Sequence, residues 1–289
     1  MKTIIISDVN SKSDSVIPYG LRLARSLETE ADVLHIIDTR VEQGNYSSFS
    51  DSQSITPGST FLTDESINKE KILAEKKLDD LLSSEASRLN YPLKVKRLIE
   101  VGSVEEIIAE KAEKNPQAVF VISSEPDGFI FQSAGEILDI IEDTGAISII
   151  VSPGKEFIDY RNVLLPTDFA PEELTAFKEV KFLPENFKLL LDTTAVAIKD
   201  NYADLEMKGK AWKKEAEKIM DPATLKTNTL EGENSFSAIE NYMNRNLWDL
   251  VLFIQDKKSS AKRLFEQDDM ESFIEIAKIP ILIYYYNNK

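Results

Sequence analysis

Hydrophobic positions in the first half of the chain switch repeatedly between a two-residue and a 3.6-residue period. Residues 3–7 form a short β-branched run, and 13–27 follow with Val16, Ile17, Leu21, Leu23, Ala24 and Leu27 at helical spacing. Residues 33–37 return to strand. Over 66–89, Ile67, Ile72, Leu73, Leu78, Leu81, Leu82, Ala86 and Leu89 draw the stripe of an amphipathic helix. A strand over 93–101 precedes Ser103, an N-cap residue with Glu105 and Glu106 in the first turn of a helix reaching about Lys114. Then come a strand at 118–123, a helix at 134–142 and a strand at 147–151. Between Asp38 and Asp64, Ser, Gln, Asn, Gly and Pro dominate, which predicts a long surface loop.

Strands separated by helices imply βαβ units and a parallel sheet with helices on both faces. After residues 152–159, a linker holding Pro153 and Gly154, the pattern restarts: Val163, Leu164 and Leu165 lead to Pro166, Thr167 and Asp168, closing in aspartate as the first strand does at Asp8. Residues 107–148 and 239–280 align without a gap, laying Val119 on Val251 and Ile147 on Ile279. The chain therefore divides into an α/β domain over 1–153 and a second, shorter one over 160–289. Pro280, at the start of the last strand, predicts an edge position open to pairing with another sheet, because proline cannot donate to a ladder.

Composition narrows the function. With 289 residues and 42% hydrophobic positions the chain can bury two cores, and it holds no cysteine, so disulfides, thiolate nucleophiles and cysteine-rich zinc sites are excluded. The net charge of -16 disfavours nucleic acid and anionic membrane surfaces as partners. No apolar run reaches the roughly 18 residues of a membrane helix, and the opening is too short for a signal peptide, so a cytoplasmic location is expected.

Candidate chemistry is sparse. His35 is the single histidine and is read as a core or edge-strand residue rather than a metal ligand. Glu266, Asp268 and Asp269 suit a helix N-terminus and lack the spacing of a calcium loop. Lys257, Lys258, Lys262 and Arg263 make a basic cluster best read as solvated surface. The tyrosines 284–286 close the last strand with rings alternating between faces. Neither a nucleophile elbow, a Walker lysine loop nor a dinucleotide-binding glycine fingerprint occurs, and no catalytic residue is assigned.

Two segments resemble the universal stress protein family: VLLPTDFAPEELTA (163–176), like its first strand and turn, and EVGSVEEIIAEKAEKNPQAVFVIS (100–123), like the segment that leads into its fourth strand. With the repeat, the resemblance covers nearly the whole chain in tandem form. It implies two tandem Rossmann-like domains of the adenine nucleotide alpha hydrolase-like type, each a five-stranded parallel sheet flanked by helices.

The resemblance also implies a nucleotide site, in which an aspartate ending the first strand contacts adenine and ribose and a Gly-x-x-Gly, nine residues, Gly-Ser/Thr stretch cradles phosphate. Asp8 and Asp168 match the aspartate. In the first half the glycine positions become Ile122, Glu125 and Gly135 and the hydroxyl position Glu136; in the second half they are Ile254, Lys257, Gln267 and Asp268. Gly128 is kept but does not contact phosphate in the family pattern. Phosphate needs bare backbone amides that glycine alone exposes, so Asp8, Gly135 and Asp168 remain the candidate cofactor-binding residues while ATP affinity is expected to be weak or absent. The expected role is a stress-response protein that binds a small-molecule ligand or a protein, with a homodimer through the last strands; the alternative is an ATP or AMP binder using the first domain, with slow hydrolysis.

Overall fold

The computed structural model describes residues 1–7, 16–38, 64–89, 92–124, 130–131, 133–198, 201–221, 224–257 and 264–287. The first half contributes β1 (Lys2–Ile6), α1 (Val16–Ser26), β2 (Glu30–Ile37), α2 (Asp64–Leu89), β3 (Val95–Val101), α3 (Val104–Lys114), β4 (Ala118–Ser123), α4 (Ala134–Thr144) and β5 (Ile147–Val151). The second contributes β6 (Asn162–Pro166), α5 (Pro171–Phe177), a 3-10 turn (Lys178–Val180), α6 (Phe182–Asn186), β7 (Leu190–Ala197), α7 (Tyr202–Ala216), β8 (Leu225–Glu231), α8 (Ser235–Arg245), β9 (Leu250–Asp256), α9 (Gln267–Ile276) and β10 (Ile281–Tyr286). The loop expected over 38–64 lies mostly outside the described residues, as do Asp8, Gly128 and the basic residues Lys258, Lys262 and Arg263.

Among the described residues ten strands form one sheet, ordered β3-β2-β1-β4-β5-β10-β9-β6-β7-β8. Within each half every pairing is parallel; the halves meet where β5 and β10 pair antiparallel, Ile281 opposite Ile150 and Ile283 opposite Ser148. The order of the second half mirrors that of the first, so the C-terminal strand ends of the two halves point in opposite directions. Ser7 N–H donates to the Leu34 carbonyl at 2.8 Å and Thr167 N–H to the Thr194 carbonyl at 3.0 Å, which sets Ser7 and Thr167 at matching places in the repeat.

Two expectations are corrected. The last strand is not an edge: β10 pairs with β9 on one side and β5 on the other, and the outer strands are β3 and β8. Pro280 stands just before the first ladder residue, so its missing N–H interrupts nothing, while its carbonyl accepts from Val251 N–H at 3.1 Å. The last strands of the two halves therefore engage each other within one chain, and neither leaves an open edge there for a second copy. The gapless repeat also slips: Val119 pairs with Ile147 but Val251 with Ile281, so the second half holds two more residues between these strands than the alignment allows.

Helices cover both faces. The side chains of α1, α2, α5, α6 and α7 bury Ile5, Val33, Val163, Leu165, Leu191 and Leu252, while those of α3, α4, α8 and α9 bury Ile4, Leu34, Phe120, Leu164, Val251 and Phe253. Successive strand residues alternate between these cores, as a pleated strand requires. Tyr284 and Tyr286 pack on the first face and Tyr285 on the second, as the alternation predicts. α4 ends on Gly145, whose φ of 66° supplies the left-handed cap that a side chain resists. Ser103 stands at the N-cap of α3, though its side chain makes no capping hydrogen bond. At α9 the Glu266 N–H donates to Asp269 at 3.4 Å, so the acidic run does start a helix.

Further contacts join the halves. On the first face, Tyr19 of α1 meets Tyr160, just before β6, through hydroxyls 2.6 Å apart, both side chains buried, and Tyr160 stacks at a tilt on Phe187 with ring centres 4.8 Å apart. On the second face, Gln267 donates to Asp139 at 2.9 Å and Lys257 to the Asp143 carbonyl at 2.8 Å, a cation at the C-terminal end of α4 where the helix dipole favours one. Among the described residues no helix is long and apolar enough to cross a membrane.

Candidate functional site

In the second half the turn after β6 is fully described. Asp168 folds it back by accepting the Ala170 N–H at 2.9 Å, the local bond expected of an aspartate that closes a strand. Phe169 takes a φ of 60°, a conformation that a bulky residue adopts only when its surroundings hold it there. Two contacts do so. Its N–H donates to Thr167 Oγ1 at 2.8 Å, and its ring lies so close to α7 that a Cβ on Gly209 would come within 2.9 Å of it. Trp212 packs on the same ring with centres 6.1 Å apart.

Beneath this turn Glu173 is buried and accepts a hydrogen bond from the Thr167 hydroxyl. Burial, reinforced by the neighbouring Asp168 charge, pushes its carboxyl well above the usual carboxylate range. Tyr286, from the end of β10, is likewise pushed up, by burial first and then by Glu173, Asp256, Asp168 and Glu172. Beside Asp168 opens a cleft of about 440 Å³ lined by Phe169, Leu174, Lys208, Trp212 and Glu215. Lys208 is engaged by Asp204 at 2.9 Å. The local field around Asp168 is thus negative, and a phosphate brought to about 4 Å from one carboxylate would be repelled by about 1–4 kcal/mol per charge pair.

In the first half the structure places Gly135 in the first turn of α4, behind Ser133, whose hydroxyl accepts the Glu136 N–H at 3.1 Å. The glycine does not face open space. A Cβ built on it would stand 2.6 Å from Glu271 Oε1, so the carboxylate of a residue on α9 occupies the room that the missing side chain leaves. His35 is buried in β2, its Nδ1 2.9 Å from the Ser7 carbonyl, as a core histidine should be. The helix starts align Ser133 with Glu266, which moves the counterparts of Gly135 and Glu136 to Asp268 and Asp269, one residue beyond the gapless assignment; no glycine appears in either register.

Sequence reasoning missed one polar centre. Asp192 in β7 is buried and accepts from Thr194 Oγ1 at 2.7 Å, Lys226 Nζ at 3.0 Å, the Tyr242 hydroxyl at 3.0 Å and Asn228. Its place in the ladder, beside Leu164, is the place of Asp32 beside Ile4, and Asp32 accepts from Lys2 at 2.8 Å. An aspartate two residues into the second strand of both halves was the available signal.

No family model matches the chain, and the search of curated proteins gives no match. Solved structures do. The chain is similar to a universal stress protein from Archaeoglobus fulgidus DSM 4304, with a TM-score of 0.64 at 15% identity over 98% of this chain and 96% of that one. It is similar to a protein of unknown function from Pseudomonas aeruginosa PAO1, with a TM-score of 0.56 at 8% identity over 98% and 92%. It is also similar to the cytoplasmic domain of a prokaryotic cation chloride cotransporter, with a TM-score of 0.52 at 11% identity over 98% and 94%. At these identities the likeness is one of fold. The chain has the fold of a universal stress protein over nearly its full length, both halves included.

Proposed function

We propose that this chain is a stress-response protein of the universal stress type that acts by binding a ligand or a protein partner, with ATP binding weak or lost. The observation that carries the reading is the seating of Glu271 against Gly135. The one retained glycine of the phosphate motif is used to pack two helices across the middle of the molecule, and a carboxylate stands where a bare backbone would have to meet phosphate. In the second half, Asp168 is tied into its own turn above the buried Glu173, and the motif glycines are replaced. Both halves thus keep the scaffold, while a carboxylate stands at Gly135 in one and Asp168 closes its own turn in the other.

Native mass spectrometry of the purified chain tests this. The expected spectrum shows the bare chain, or the chain with a mass other than an adenine nucleotide. Stoichiometric ATP, ADP or AMP carried through purification overturns the reading.

A further inference from the structure

A second cleft lies at the other end of the second half from Asp168, where β6 and β7 begin. It measures about 780 Å³, within the range of small-molecule sites, and is bounded by Arg161 before β6, Pro184 and Glu185 of α6, residues 187–190, and Ile219, Met220, Asp221 and Thr224 on the α7–β8 connection. Its apolar lining is continuous with the core: Phe187 and Met220 are buried, while Leu190 keeps 38% of its surface exposed, a large apolar side chain left in water at the mouth.

The cations set its chemistry. The Leu190 N–H donates to the Arg161 carbonyl at 2.6 Å, which fixes the backbones carrying Arg161 and Lys188 beside each other. Among the described residues neither side chain has an ion-pair partner. Of the two carboxylates on the cleft, Glu185 is engaged by Lys181 at 3.3 Å, and Asp221 lies on the opposite connection, its backbone carbonyl taking the Thr224 hydroxyl at 2.7 Å. Asp249, outside the cleft lining, is held by the Arg161 and Asn162 N–H groups at 2.9 Å each, so in a chain of net charge -16 the arginine and lysine side chains beside exposed leucine form a site for opposite charge attached to an apolar body.

We infer that this cleft binds an amphipathic organic anion: a carboxylate held between Arg161 and Lys188, with its hydrocarbon part laid over Phe187, Leu190, Ile219 and Met220. The guanidinium meets a carboxylate with two parallel N–H donors, and the apolar part gains by covering Leu190. The inference stands apart from the reading of the nucleotide-like ends, which it neither needs nor tests.

Titration calorimetry with sodium octanoate, octan-1-ol and octylammonium as probes decides it. Octanoate is expected to bind one per chain, at least ten-fold more tightly than the alcohol, with octylammonium weaker still. The Arg161→Glu/Lys188→Glu variant, altered only at exposed positions, is expected to lose octanoate binding at least ten-fold with an unchanged melting temperature. Equal binding of acid and alcohol, no binding of octanoate, or octanoate binding undiminished in the variant each overturns the inference. Should the variant unfold, Lys188→Gln alone serves, with at least three-fold weaker octanoate binding expected and unchanged binding overturning it.

Discussion

Glu271 and Gly135 meet across the middle of the molecule, the carboxylate of one filling the space that a side chain on the other would take, with Oε1 2.6 Å from the Cβ position. One residue belongs to each half of the repeat, and their contact joins α4 to α9 on the same face as the Gln267–Asp139 hydrogen bond. If packing is the role of Gly135, substitutions there read out in stability.

Gly135→Ala adds a better helix former to the first turn of α4, worth about 0.5–1 kcal/mol, but must displace the end of a flexible glutamate. The full gain is expected only in the Glu271→Ala background. A double-mutant cycle by urea unfolding checks this, and purely additive effects would contradict the contact.

The Tyr19–Tyr160 hydroxyl pair links α1 to the start of the second half in a buried setting. Tyr19→Phe or Tyr160→Phe strands one hydroxyl and is expected to remove about 1–3 kcal/mol, whereas the double variant loses less than the two single losses combined. Denaturant melts of the three variants suffice.

Glu173 gives a pH signature. Its folded carboxyl titrates above its unfolded value, so the native state holds the proton longer and stability falls as pH rises from the ordinary carboxylate range toward the folded pKa. Glu173→Gln is expected to flatten that fall, by at most about 1.4 kcal/mol per pH unit for one proton, and to leave the acid end of the profile nearly unchanged. Melting temperatures across the acid and neutral range show whether it does.

Removing Asp192 leaves Tyr242 and Asn228 facing a void, and Asp192→Ala is expected to destabilise by about 2–4 kcal/mol. Lys226 is half exposed and can return to water, so Lys226→Ala should remove only about 1 kcal/mol. Equal losses in the two variants would show that the ion pair, not the network, holds the site.

The first half was legible because its strands are apolar runs and its helices carry clear stripes, and the matched ends at Ser7 and Thr167 were visible in the run closing at Asp8 and Asp168. The second half resisted between Asp168 and Ile239. There β7 carries Asp192, Thr193 and Thr194, buried polar residues; Asp192 and Thr193 find partners on β8 and α8 and Thr194 bonds Asp192, so no local pattern marks β7 as an inner strand. The slip at the last strand has a similar origin: Ile279-Pro280-Ile281-Leu282 resembles Ile147-Ser148-Ile149-Ile150, yet the ladder begins only after the proline. What local sequence cannot encode is the antiparallel seam itself, and with it the close approach of Glu271 to Gly135.

The most direct measurement on the central claim is calorimetry of the full chain with ATP and with AMP. A scaffold whose phosphate cradle has been replaced by side chains and carboxylates should give flat traces up to millimolar nucleotide. Micromolar binding that disappears in Asp8→Ala would contradict it.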